Sequence, residues 1–281
     1  MRQFNYRIVN VFTHDRGPLT GNPLCVFEDA RGLDDATMQA LARQFNLSET
    51  TFILPSTQAD ARVRIFTPSY EMPFAGHPTL GTASVCRTLG IGGADLKLEM
   101  QAGVIPVTAE NDRWTLLAVT PTWRSVDVPR TTMARMLGLE ADAIGEHPLW
   151  VKAGKEQLIV PLRNEAAVRS IKLNAEAFAE VRSEDGHSMA YVFAEIAPGH
   201  ALARFFFPAG NAILEDPATG SATANFGGWL IATGRALPAS LQISQGEYVQ
   251  RPSTLFLRVD TEKRIFVSGD VIELGRGVVE V

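Results

Sequence analysis

The 281-residue chain has little from which most cofactor chemistries are built. It contains two cysteines, Cys25 and Cys86, both in apolar surroundings, which reads as buried free thiols rather than a disulfide framework or a metal site. Its five histidines, His14, His77, His147, His187 and His200, show no ligand spacing, and no H-E-x-x-H occurs. G-x-G-x-x-G, the phosphate-cradling G-x-x-x-x-G-K-[ST] and the nucleophile elbow G-x-S-x-G are all missing; Gly90-Ile91-Gly92-Gly93 is only a glycine-rich helix exit. Neither a bound metal nor another cofactor is therefore expected. A net charge of −5 gives no basic surface for nucleic acid or an anionic membrane. No run approaches the length of a membrane-spanning helix, and Met1–Tyr6 lacks the apolar core of a signal peptide. The expected place is the cytoplasm.

What is present is an ordinary globular composition, 46% hydrophobic and 20% charged, in a chain long enough for one large or two medium domains. The first part reads as strands at Tyr6–Thr13, Asn22–Glu28, Thr51–Leu54, Arg62–Ile65, Leu96–Val107 and Trp114–Val119. Between them, Asp34 can cap a helix with Met38, Leu41, Ala42 and Phe45 on one face. Pro121-Thr122-Trp123 reads as a hinge. Beyond it come a helical patch at Thr131–Leu137, strands at Leu149–Val160, Met189–Glu195 and Leu202–Phe207, and a β-rich tail from Leu241 to Val281.

One internal echo organises the rest. His77–Thr88 and Ser221–Thr233 both read as helices, and neither carries a formal charge before Arg87 and Arg235 respectively. Each follows a turn, Pro73-Phe74-Ala75-Gly76 in one case and Asp216-Pro217-Ala218-Thr219-Gly220 in the other. A helix without charge on any face is buried all round. Two of them among strands predict two similar halves, 1–122 and 123–281, each a curled sheet around a central helix. Two unrelated buried helices are the competing reading.

A buried helix that starts at a glycine turn offers unpaired N–H groups and a positive dipole end to a small anion. Gly76 and Gly220 mark these two starts, although glycine serves close packing more often. Each polar residue nearby also has a plainer role. His77 fits a structural cap, Asp216 an Asx turn, Ser221 a helix cap, and Glu49 a solvated turn after the amphipathic helix.

Five segments, taken in order, resemble those of the PhzF-like family of phenazine biosynthesis. Gly21-Asn22-Pro23-Leu24-Cys25-Val26 resembles G-N-P-x-x-V, and Asn46–Phe52 resembles N-L-S-E-T-x-F. Pro73-Phe74-Ala75-Gly76-His77-Pro78-Thr79 resembles P-F-x-G-H-x-T, and Glu215–Ala222 resembles E-D-P-A-T-G-S-A. Gln245-Gly246 and Arg251-Pro252-Ser253 resemble the late Q-G and R-P-S pieces. The resemblance implies an α+β, diaminopimelate-epimerase-like fold with two half-barrels that are mostly antiparallel. It implies a cofactor-independent isomerase, a homodimer, and a small anionic substrate. It places the general acid/base at Glu49, further catalytic residues at His77 and Asp216, and substrate-binding residues at Gly76, Gly220 and Ser221. A one-base epimerase of an amino acid derivative and a non-catalytic small-acid binding protein are the alternatives.

Two departures stand out. Related epimerases place a cysteine at each helix start, where this chain has Ala75 in one turn and Pro217, Ala218 and Thr219 in the other, so two-thiol racemisation is not expected. Gln250 stands before Arg251 where family members often have glycine, so that loop is expected to differ.

Overall fold

The computed structural model describes all residues, 1–281, which form two compact units, residues 1–117 with 268–281 and residues 118–267. In the first unit the order is β1 (Gln3–Val11), β2 (Asn22–Phe27), α1 (Asp35–Phe45), β3 (Glu49–Leu54), β4 (Ala61–Phe66), β5 (Glu71–Met72), α2 (Gly76–Thr88), β6 (Asp95–Met100), β7 (Gly103–Glu110) and β8 (Arg113–Leu117). In the second it is β9 (Thr122–Ser125), α3 (Arg130–Leu137), β10 (Leu149–Lys152), β11 (Glu156–Pro161), α4 (Glu165–Ser170), α5 (Ala175–Glu180), β12 (Ala190–Ala197), β13 (His200–Ala209), β14 (Ala212–Asp216), α6 (Gly220–Ala232), β15 (Ala239–Gln245) and β16 (Ser253–Val259). Strand β17 (Ile265–Glu280) starts in the second unit, and its residues from Ser268 onward belong to the first.

The two units repeat one topology. In the first, β1 and β2 are antiparallel, β2 and β3 are parallel across α1, β3, β4 and β5 follow antiparallel, and β4 and β6 are parallel across α2 before the β6–β7 hairpin. In the second, β10 and β11 are antiparallel, β11 and β12 are parallel across α4 and α5, and β12, β13 and β14 follow antiparallel. There β13 and β15 are parallel across α6, and the β15–β16 hairpin follows. The expectation of two similar curled and mostly antiparallel sheets holds at the level of connectivity.

Both central helices are enclosed, as their lack of charge requires. Every residue of α2 from Gly76 to Ala83 is buried, and Val85 and Cys86 as well. It packs on β1, β2, β3 and β8. A Cβ at Gly81 would come within 2.6 Å of Leu24 Cδ2 and 2.9 Å of Val11 Cγ2, so this glycine lets the helix lie against the sheet. In α6, Gly220 and Ala222–Leu230 are buried, with β10, β11 and β16 around the helix. The outer faces hold separate cores. Met38, Leu41 and Ala42 of α1 cover Cys25, Phe27 and Phe52 in the first unit. In the second, α3, α4 and α5 cover residues such as Leu158, Val160 and Val192. The Asp34 carboxylate caps α1 by accepting from Thr37 N, as its position predicted.

The structure revises the sequence reading in several places. Residues 268–281 fall with the first unit rather than with 123–267, because β17 pairs with β1 from Val11–Val271 to Gln3–Glu280. Leu96–Val107 is a hairpin, not one strand, reversing at Gln101-Ala102 before Gly103 at φ +119°. Leu149–Val160 is likewise two strands, broken around Gly154 at φ +116°. Thr122 and Trp123, expected in a hinge, lie in β9 and pair with Lys152 and Val151. No helix is long and apolar enough to cross a membrane.

Candidate active site

In the first unit, strand and helix periodicity bring Glu49 and His77 together. Glu49 is the first residue of β3, three positions after Asn46 closes α1 in a left-handed conformation at φ 53°. Strand side chains alternate, so Glu49 and Thr51 share a face. That face meets α2, since Thr51 Oγ1 and Thr82 Oγ1 are hydrogen-bonded at 2.8 Å. Two strand residues advance about 6.7 Å and five helical residues about 7.5 Å. From the Thr51–Thr82 tie, the same step along each element reaches Glu49 and His77. His77 Nε2 indeed lies 3.4 Å from Glu49 Oε2, with side chains 8% and 15% exposed.

The protonation of His77 is set by its burial. Loss of solvation pushes its pKa down from 6.5 to about 3, opposed only by a hydrogen bond to the backbone of Pro23. Proline has no N–H, so the imidazole donates to its carbonyl oxygen. Nε2 has no hydrogen-bond partner, so the donor is the other ring nitrogen, and Nε2 carries the lone pair. A neutral imidazole thus turns an acceptor toward the Glu49 carboxyl. Gly76 precedes His77 at the first turn of α2, and its N-cap, Ala75, has no side chain able to cap it. The first N–H groups of α2 therefore have no intrahelical acceptor, and Pro78 contributes none.

The second unit holds Asp216, Gly220 and Ser221 at the start of α6. Asp216 ends β14, and its Oδ2 accepts from Thr219 Oγ1 at 2.5 Å. The Gln245 amide spans this turn. Its Oε1 accepts from Thr219 N at 3.4 Å, and its Nε2 donates to Asp216 O at 2.9 Å and to Thr219 Oγ1 at 3.0 Å. Thr219 is thus an acceptor from Gln245 and a donor to Asp216, which fixes Oδ2 of the latter as a hydrogen-bond acceptor. Behind the turn, Gly246 sits at φ +85°, where a Cβ would fall 2.3 Å from Arg251 O and 2.5 Å from Pro217 O. Ser221 is half-buried, and its Oγ accepts from Gln157 Nε2 at 3.1 Å.

The structure therefore groups Glu49, Gly76 and His77 in one unit and Asp216, Gly220 and Ser221 in the other. No motif in the sequence singled out Pro23 as a partner of His77, Thr51 and Thr82, or the supports Thr219, Gln157 and Asn225, whose Nδ2 donates to Gln157 Oε1 at 2.8 Å. The usable signal was a polar residue inside a charge-free helix, Thr82 in α2 and Asn225 in α6, where burial demands a partner.

Cys25 and Cys86 are free and buried, and desolvation raises both thiols, Cys86 up to about 12 and Cys25 further. Neither is a thiolate at neutral pH. No group of three or more His, Cys, Asp or Glu side chains is arranged to hold a metal. Gln250 occupies a left-handed position, φ 56° and ψ 29°, so the loop keeps a glycine-like backbone despite its side chain.

The family model of phenazine biosynthesis-like proteins, PhzC-PhzF, matches residues 9–276. An uncharacterized isomerase of Pasteurella multocida is 37% identical over 278 residues, covering 98% of this chain and 93% of that protein. The trans-2,3-dihydro-3-hydroxyanthranilate isomerase of Pseudomonas chlororaphis is 34% identical over 289 residues, covering 98% and 99%. Among solved structures, a phenazine biosynthesis protein of the PhzF family from Bacillus anthracis superposes with a TM-score of 0.89 at 27% identity, covering all of both chains. The fold is of the diaminopimelate-epimerase-like class.

Proposed function

The chain belongs to the phenazine biosynthesis-like family and is an isomerase, and from that premise we propose that it moves a proton between two carbons of a small carboxylate-bearing substrate, with Glu49 as the carrier. The observation that carries this reading is the Glu49–His77 contact, 3.4 Å across and nearly closed to solvent. In the first step the Glu49 carboxylate removes a proton from carbon, leaving an enolate-like anion. In the second the new carboxylic acid returns that proton to another carbon on the same face. Between the steps the acid O–H can point at the Nε2 lone pair of His77, which gives the proton a resting place. Because burial disfavours the imidazolium, His77 is a weak base and leaves the proton on Glu49.

The remaining residues bind and orient. Asp216, an acceptor, suits a substrate amine or hydroxyl, and Ser221 suits a carboxylate. The N–H groups at the start of α2, the helix that carries His77, stabilise negative charge developing on the substrate. The turns before both helices lack a thiol, and the two cysteines are buried as neutral groups, so a carboxylate carrier fits this chain better than a thiol pair. The same reading includes a homodimer acting without a cofactor, and the family resemblance supports both.

The substrate named for the Pseudomonas chlororaphis relative, trans-2,3-dihydro-3-hydroxyanthranilate, is the first compound to try. Turnover should be read by loss of the substrate spectrum and by proton NMR of the product. A shifted C–H bond in the product supports the reading. Inversion at a stereocentre with the double bonds unmoved would instead indicate a one-base epimerase.

A further inference from the structure

Behind Ser221 lies a buried chain of two amides whose polarity can be read without ambiguity. Asn225, fully buried on α6, accepts from the backbone N–H of Ala153 through Oδ1 at 2.6 Å. Its Nδ2 donates to Lys155 O at 2.9 Å and to Gln157 Oε1 at 2.8 Å. A backbone N–H can only donate and a backbone carbonyl can only accept, so both ends of the Asn225 amide are assigned by groups that cannot reverse. Turning Asn225 over would set N–H against N–H at Ala153 and oxygen against oxygen at Lys155. Its orientation then assigns the next amide. Gln157, 2% exposed, presents Oε1 to Asn225 and is left with Nε2 toward Ser221 Oγ at 3.1 Å.

From this we infer that Gln157, oriented by Asn225, is a positioning residue that holds Ser221 as a hydrogen-bond donor toward the substrate. The Gln157 N–H occupies an acceptor lone pair of Ser221 Oγ. The hydroxyl hydrogen is not consumed inward and is directed to a ligand acceptor. A serine facing a carboxylate could turn its hydrogen inward; with an amide N–H facing it instead, Ser221 keeps its hydrogen for a ligand acceptor, such as a carboxylate oxygen. The inference rests on the proposed small-acid reading of the site and adds the residues that set its polarity.

The test is a double-mutant cycle on binding of anthranilate, a stable flat amino acid, followed by calorimetry. Ser221→Ala should weaken anthranilate by about tenfold or more, the worth of one hydrogen bond to a charged acceptor. Gln157→Glu keeps the shape and still accepts from Asn225, but it takes the Ser221 hydrogen inward. The new charge acts in both backgrounds and cancels in the cycle. Gln157→Glu should therefore weaken binding about tenfold more when Ser221 is present than in the Ser221→Ala background. Equal losses in the two backgrounds would overturn the inference.

A second measurement needs neither ligand nor folded Gln157→Glu protein. In wild-type spectra one of the two Gln157 side-chain amide hydrogens should shift on Ser221→Ala while both Asn225 amide hydrogens hold their positions. No shift at Gln157 would overturn the assigned polarity. Should wild-type protein bind no anthranilate, the small-acid reading loses its support, and the amide signals still decide the orientation of Gln157.

Discussion

The Nε2 atom of His77 stands 3.4 Å from Oε2 of Glu49, and burial keeps that imidazole uncharged down to about pH 3. In most histidine–carboxylate pairs the attraction comes from a charged imidazolium. Here the ring offers a lone pair, so the contact is favourable when Glu49 carries the proton. The arrangement suits a group that takes a proton and gives it back.

The depressed pKa of His77 predicts a pH-dependent loss of stability. The unfolded imidazole binds its proton near pH 6.5, whereas the folded one resists it until about pH 3. Above pH 6.5 both states are neutral and the term vanishes. As pH falls below 6.5 the unfolded state gains a proton that the folded state refuses, and stability drops by about 1.4 kcal/mol per pH unit. At pH 5 this single term amounts to about 2 kcal/mol. Urea unfolding of wild type and His77→Gln between pH 7 and 4.5 checks it. The wild type should lose stability more steeply, and parallel curves would contradict the assignment of a neutral buried imidazole.

Thr219 transmits the Gln245 hydrogen bond to the Asp216 carboxylate. Thr219→Val keeps the shape and removes both of its hydroxyl interactions, whereas Thr219→Ser keeps them. The valine variant should lose about 1 kcal/mol of stability and about tenfold in kcat/KM, and the serine variant should stay close to wild type. Steady-state kinetics beside thermal melts separate the two effects.

Two neighbouring backbone positions should respond in opposite directions. Gly246→Ala drives a methyl against the carbonyl oxygens of Arg251 and Pro217 at a left-handed φ. It should cost about 2 kcal/mol or more and displace the turn that carries Asp216. Gln250→Gly relieves a left-handed glutamine, φ 56°, and should stabilise the protein by about 0.5–1 kcal/mol. Melting temperatures of the two variants check both signs.

The fold was legible where burial and charge leave a plain trace. The charge-free stretches after Gly76 and Gly220 predicted two enclosed helices, and α2 and α6 occupy those places in matching connections. The Asp34 cap and the stripe from Met38 to Ala42 were equally readable, since both are local. The hairpin turns before Gly103 and around Gly154 were read through, because one glycine among small and polar residues also fits a bulge within a continuous strand, and its positive φ appears only in three dimensions. The return of β17 to β1 joins residues some 260–277 apart in sequence, for which no local pattern exists. In the site, Glu49, His77, Asp216 and Ser221 came from motif resemblance, since each alone fits a turn or cap. Gln157 and Asn225 were missed because their roles lie in hydrogen bonds across the fold.

The central claim is that Glu49 carries the proton, and Glu49→Gln tests it most directly. Glutamine keeps the size and much of the hydrogen bonding but can neither take nor return a proton. The measurement is turnover of trans-2,3-dihydro-3-hydroxyanthranilate, or of whichever small acid proves to be the substrate, in deuterated water. Wild-type protein should turn over and place deuterium at the reprotonated carbon whenever the Glu49 proton exchanges before its return; rapid internal return lowers the label without lowering the rate. Glu49→Gln should fold, bind ligand and lose about 10²–10⁴ or more in rate. Cys25→Ala, Cys86→Ala and treatment with a chelator should leave the chemistry in place. Full activity in Glu49→Gln, or activity lost on chelation or on replacing either cysteine, would contradict the account.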